Sequence, residues 1–179
     1  MLLVELKSLG ILDVKLNRGA TVQRFSVVKL REIYEVRRLM EVEATRKSSG
    51  RIDSQALDDL LKETQQMLDL NREDNDWELD QRIHATIADS CGNRRLTHEI
   101  ERYATLLQAI RRTAGRRTTV HQVTTQQHLE ILTALAKGEA DTAGAAMHRH
   151  IRQAEESAVA AISGNLPESS EIAVIEGEC

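Results

Sequence analysis

Proline is nearly missing from this sequence: the one proline, Pro167, stands close to the end. A proline inside a helix removes a backbone donor and clashes with the preceding turn. Residues 1–166 are therefore free to form long, unbroken helices. Aromatic residues make up only 2 % of the chain, which argues against a sheet that stacks nucleobases. There are two cysteines, Cys91 and Cys179. Two thiols that far apart make no disulfide framework, and a reducing, cytoplasmic setting is the expectation. Met1-Leu2-Leu3-Val4 runs directly into Glu5 and Lys7, so no secretory leader is expected. No stretch approaches the ~20 apolar residues of a membrane span. What is present is ordinary for a soluble globular domain with a real core: 179 residues, 41 % hydrophobic and 29 % charged.

The net charge of −4 is unevenly spread. Residues 1–37 hold seven Lys/Arg against four Asp/Glu, a balance of +3, which leaves −7 for the remainder. A mildly basic head on an acidic body permits a DNA contact at the front only. Within that head, Gly10 reads as a helix stop. Ile11 to Leu16, a turn at Asn17-Arg18-Gly19-Ala20, and Thr21 to Phe25 then read as a β-hairpin. Two strands alone are marginal in water, so this hairpin needs something to pack on.

From residue 27 onward the pattern is helical. Ser26 is the expected cap of a helix over 27–48, with Leu30, Ile33, Tyr34, Met40 and Ala44 on its apolar stripe. Arg37 lies inside that stripe, one turn before Glu41. It either pairs with Glu41 along the helix or faces a cavity and grips a ligand carboxylate with two nitrogens. Asp53 opens a second helix running to about Leu70, and a polar break follows at 71–75. Trp77 to Cys91 forms a third helix. Asn93 caps a fourth, lined by Leu96, Ile100, Tyr103 and Leu107. A fifth, from about Thr118 to Lys137, carries Val123, Ile131, Ala134 and Leu135. A sixth, from about Asp141 to Ser163, carries Ala143, Met147, Ala154 and Ala158. The acidic segment 164–179 reads as a mobile tail.

Four residues break the apolar stripes of the later helices. A helix turns ~100° per residue, so residues four apart share a face. Asp80 and His84 project together from the stripe of the third helix, among Ile83, Ile87, Ala88 and Cys91. His128 sits beside Leu135 on the fifth. On the sixth, His150 lies in the stripe, whereas His148 is ~160° away and sides with Arg152. An unpaired carboxylate buried in an apolar face is costly. Asp80 is compensated either by an ion pair with His84 or by a metal held by both with further ligands from other helices. One carboxylate and three imidazoles suit a borderline divalent ion and leave coordination positions open.

The short motifs have a familiar order. Tyr34-Glu35-Val36-Arg37-Arg38-Leu39-Met40-Glu41, the Asp80…His84 pair, Gly92-Asn93, His128-Leu129-Glu130-Ile131-Leu132, Gly138-Glu139-Ala140 and Met147…His150 together resemble the FCD effector-binding domain of FadR-subfamily GntR regulators. The resemblance covers about residues 27–163. Ahead of it, Leu9-Gly10-Ile11-Leu12 and Asn17-Arg18-Gly19-Ala20-Thr21-Val22 look like the end of a recognition helix and the wing of a GntR-type winged helix-turn-helix.

The resemblance implies an all-α fold, an antiparallel bundle of about six helices, preceded by a β-hairpin remnant of a winged helix. It divides the chain into a partial winged helix over 1–26, a ligand-binding bundle over 27–163 and a tail over 164–179. It implies a divalent metal on Asp80, His84, His128 and His150, zinc first, with nickel or manganese as alternatives. It further implies a small carboxylate metabolite held at Arg37, wing contacts to DNA from Lys15 and Arg18, and a homodimer in the cytoplasm. The helix that reads base edges is missing from the resemblance, so this chain by itself is expected to bind an operator weakly or through an intact partner. Two other functions fit the residues: a metal-dependent hydrolytic enzyme, in which the ion activates water, and a metal-free helical dimerisation domain in which Asp80 merely pairs with His84.

Overall fold

The computed structural model describes residues 12–14, 20–22, 26–70, 76–114 and 121–163. Two short strands, β1 (Leu12–Val14) and β2 (Ala20–Val22), pair antiparallel with Leu12 opposite Val22. Among the described residues six helices follow: α1 (Val27–Ser48), α2 (Ser54–Asp69), α3 (Asp76–Ser90), α4 (Arg94–Ala114), α5 (His121–Ala136) and α6 (Ala140–Ser163). Lys15, Arg18 and the acidic segment 164–179 lie outside the described residues.

The helix starts follow from local chemistry. The first backbone N–H groups of a helix have no partner within it, and a short polar side chain just ahead can accept from them. Ser26 does so for the N–H of Lys29, Asp53 for that of Ala56, and Asn93 for those of Arg95 and Leu96. The stops are equally local. Helix α5 closes at Gly138 (φ +73°), where the N–H of Glu139 donates to the carbonyl of Ala134 and that of Gly138 to Leu135. This is the paired bonding of a Schellman stop, which needs a left-handed residue after the helix.

Helix α1 is the organising element. It packs most heavily on α6 and also meets α3 and α4, while α5 lies against α2 and α6. Leu30, Tyr34 and Ala44 of α1 are buried with Ile83 and Ile87 of α3, Ile131 and Leu132 of α5, and Met147 and Ile151 of α6. Burying apolar surface at roughly 25 cal/mol per Å² drives this assembly. Close contact of α1 with α6 uses Gly144: a Cβ there would sit 2.9 Å from Cγ of Arg46. Among the described residues no helix is long and apolar enough to cross a membrane.

The bundle of about six helices expected from the sequence is thus observed. One stripe residue differs. Val123 was expected to face inward on α5 but is 50 % exposed, and Thr125 and Leu132 are buried in its place. Val123 lies ~140° around the helix from His128.

The stop at Gly138 yields a clean test of backbone energetics. A Cβ there would meet no atom within 4 Å, so Gly138→Ala should cost only the left-handed backbone, about 1–2 kcal/mol. Gly138→Asn, whose side chain tolerates that conformation, should cost clearly less. Urea midpoints of the two variants against the parent measure the difference.

Candidate metal centre

The four residues that interrupt the apolar stripes meet in the middle of the bundle. Asp80 and His84 come from successive turns of α3, His128 from α5 and His150 from α6. Each offers one donor atom, and all four donors lie within 4.8 Å of one another. His84 Nε2 and His150 Nε2 are 3.2 Å apart, and His128 Nε2 is 3.3 Å from Asp80 Oδ1. His84 Nε2 to Asp80 Oδ1 is 3.7 Å. His84, His128 and His150 are buried, and the Asp80 side chain is 13 % exposed. Among the described residues this is the one group of three or more His, Cys, Asp or Glu close enough to share an ion.

These separations suit a metal. Two atoms bound to one ion at ~2.1 Å are ~3.0–3.4 Å apart at bond angles of about 90–110°. Two of the donor pairs have that spacing. A second observation concerns satisfaction. His128 Nε2 is buried and makes no hydrogen bond; its approach to Asp80 is close but not aligned as one. A buried polar atom without a partner costs about 1–3 kcal/mol, and a cation at the centre of the cluster removes that cost.

Helix α1 supplies the wall beside the cluster. Arg37 and Glu41, both 5 % exposed, form the intrahelical pair that their spacing allowed, with Arg37 Nε 2.5 Å from Glu41 Oε1. The other oxygen of Glu41 accepts a hydrogen bond from His84 Nδ1. Arg37 shows the pairing along the helix, one of the two expectations for it. It also faces the cluster, with Nη2 3.5 Å from His84 Nε2. Its Nη1 is buried and has no hydrogen-bond partner. On the far side, Gln127 Oε1 lies 3.2 Å from His150 Nδ1.

Electrostatics follow from this crowding. Burial alone would raise the Glu41 carboxyl, but the Arg37 guanidinium and His84 outweigh it and bring it down to about 2. Burial lowers His128, and it lowers His150 well below the ordinary imidazole value, with the neighbouring histidines pushing His150 the same way. Neutral imidazole is the form that ligates metal.

A family model described as FCD domain matches residues 32–153. The chain belongs to the FCD domain family. The match takes in Arg37, Glu41, Asp80, His84, His128 and His150. No curated protein matches the chain. Among solved structures, this FCD domain is similar to the metal-free FCD domain of TM0439, with 18 % identity over 79 % of this chain and 99 % of that one and a TM-score of 0.68. It is similar to a GntR-family transcriptional regulator from Pseudomonas syringae pv. tomato str. DC3000, with 18 % identity over 91 % and 70 % of the two chains and a TM-score of 0.63. It is also similar to E. coli McbR/YncC, with 18 % identity over 87 % and 76 % and a TM-score of 0.65. At these identities the likeness establishes the fold, an all-α FCD bundle.

Sequence reasoning placed Asp80, His84, His128, His150 and Arg37 of this FCD domain, and the structure brings all five together. It placed His148 and Arg152 on the outer surface, where they share an open groove of about 330 Å³ with Arg31, Glu35, Arg38 and Glu155. It did not connect Glu41 to His84, or Gln127 to His150. For Glu41 a signal existed, because a carboxylate one turn beyond Arg37 on a buried stripe must itself be satisfied. For Gln127 none did, since an uncharged amide at a stripe edge is unremarkable.

His128 and His150 set a pH dependence in the metal-free protein. Their folded values lie below the ~6.5 of the unfolded chain, so below that pH the unfolded state binds more protons and stability falls. The stabilising contribution is fully present above ~6.5 and is lost as pH drops towards the folded values. Urea unfolding of metal-free protein should therefore give a lower midpoint at pH 5.5 than at pH 7.5, and His150→Phe should flatten that difference.

Proposed function

We propose that this chain carries the ligand-sensing domain of a GntR-type transcriptional regulator of the FadR subfamily. In this reading Asp80, His84, His128 and His150 hold a divalent metal, zinc first, with nickel or manganese as alternatives. The ion supplies open coordination positions to an anionic oxygen. The observation that carries the reading is the convergence of four donors from three helices on one buried point, with His128 Nε2 left without a hydrogen bond. The solved FCD domain of TM0439 is metal-free, so the metal is argued from the side chains of this chain and not from its fold.

Arg37 fits a second role, as the site for a small carboxylate metabolite. Its Nη1 is buried without an acceptor, while Nε is engaged by Glu41. A guanidinium fixed along one edge and unsatisfied on the other presents donors to an incoming carboxylate. A carboxylate bridging the ion and Arg37 would favour one arrangement of the bundle, and a ligand shifts an equilibrium by its differential affinity for the two states. In the regulator, residues 1–26 belong to a winged helix that touches DNA through Lys15 and Arg18, residues 27–163 form the sensing bundle of a homodimer, and 164–179 is a tail. FCD domains of GntR regulators are not enzymes, and the cluster is read here as a binding centre.

Elemental mass spectrometry of the purified protein, beside Asp80→Ala, is the direct test. The parent should carry a full equivalent of divalent metal and the variant almost none. Added zinc at ~100 times its dissociation constant should stabilise the parent by about 2.7 kcal/mol, and thermal-shift screening of small carboxylates against metal-loaded protein should give hits that Arg37→Met abolishes. A parent that takes up no metal when divalent ions are supplied would leave only a helical interaction domain.

A further inference from the structure

Each histidine has two ring nitrogens, and the nitrogen that carries the proton cannot ligate a metal. What chooses between them is the hydrogen bond made by the other nitrogen. Two residues outside the donor set make that choice here. Glu41 accepts from His84 Nδ1, and Gln127 presents Oε1 to His150 Nδ1 at 3.2 Å. Both contacts lie on the side of the ring away from the cluster, and both Nε2 atoms point inward, 3.2 Å apart.

We propose that Glu41 and Gln127 are the positioning residues of the centre, fixing His84 and His150 as Nδ1–H tautomers so that both Nε2 lone pairs face the ion. The proposal rests on reading the cluster as a metal site. Arg37 Nη2, which can only donate, lies 3.5 Å from His84 Nε2, so that nitrogen is the acceptor and His84 Nδ1 is the donor to Glu41. With both rings protonated at Nδ1, neither Nε2 has a proton to offer the other across 3.2 Å, and a cation between them would accept both lone pairs. The supports thus aim two nitrogen donors at one point.

Arg37 completes the arrangement. By engaging Glu41 Oε1, it keeps the carboxylate from turning inward to become a ligand itself. The two supports also differ in kind. An ionised carboxylate behind His84 makes its ring a stronger electron donor than the neutral amide makes that of His150, because the imidazole shares negative charge across the hydrogen bond.

The test uses the whole chain, with zinc as the only added ligand. Long-range proton–nitrogen NMR of metal-free protein should show His84 and His150 protonated at Nδ1. Zinc affinity, from competition with a chromophoric chelator, should fall about 10–100-fold in Glu41→Gln and in Gln127→Leu. In Gln127→Leu the His150 signals should also spread over both tautomers, and Gln127→Glu should restore both affinity and tautomer. If Glu41→Gln does not fold, the Gln127 variants and the parent spectrum decide. Protonation at Nε2 in the parent, or zinc binding unchanged in Gln127→Leu, overturns the positioning role while leaving the metal centre in place. A parent that binds no zinc overturns the metal reading itself, and the positioning role with it.

Discussion

The buried chain Arg37–Glu41–His84 is the constraint on which the rest of this bundle depends. Charged groups are rarely buried this deeply unless paired and hydrogen-bonded. Here a guanidinium and a carboxylate sit on adjacent turns of α1, and the free oxygen of the carboxylate reaches an imidazole on α3. Such a chain is a weak source of net stability, since desolvation offsets most of the Coulomb attraction. What it does is fix position. Helix α1 cannot slide along α3 by a turn without stranding at least one charge, and stranding a charge costs about 3–5 kcal/mol. The apolar contacts around it, among Leu30, Tyr34, Ile83 and Ile87, would tolerate such a slip far more easily.

The parts of the structure that local chemistry decides were legible in the sequence. Ser26, Asp53 and Asn93 cap helices because each precedes a helical stripe with a side chain short enough to reach back to the backbone. The inward placement of Asp80, His84, His128 and His150 was legible too, because a polar residue on an apolar stripe has only one direction to face. What could not be read was pairing across helices. Glu41 and His84 are 43 residues apart and meet only because α1 packs on α3. Gln127 and His150 meet only because α5 turns back sharply at Gly138 to lay α6 against it. Val123 failed for a related reason. A helical wheel gives the face of a residue but not whether a neighbouring helix extends far enough to cover it.

Fold and site carry separate information in this family. The likeness to other FCD structures is spread along most of the chain at 18 % identity. The centre rests on a handful of side chains, Asp80, His84, His128 and His150. The chemistry of any one member therefore has to be argued from its own donors.

The donors are also unequal in how they are brought together. Asp80 and His84 share one face of α3, so even a helical fragment would hold them side by side. His128 and His150 join them only when α5 and α6 are docked, and His150 lies 66 residues from His84 along the chain. Any ion held by all four is consequently a staple between α3 and the α5–α6 pair. Its departure requires those helices to part, at least locally. The residence time of the ion is then governed by the breathing of the bundle, the same opening that exposes interior amides to exchange, and not by the strength of the individual metal–ligand bonds alone.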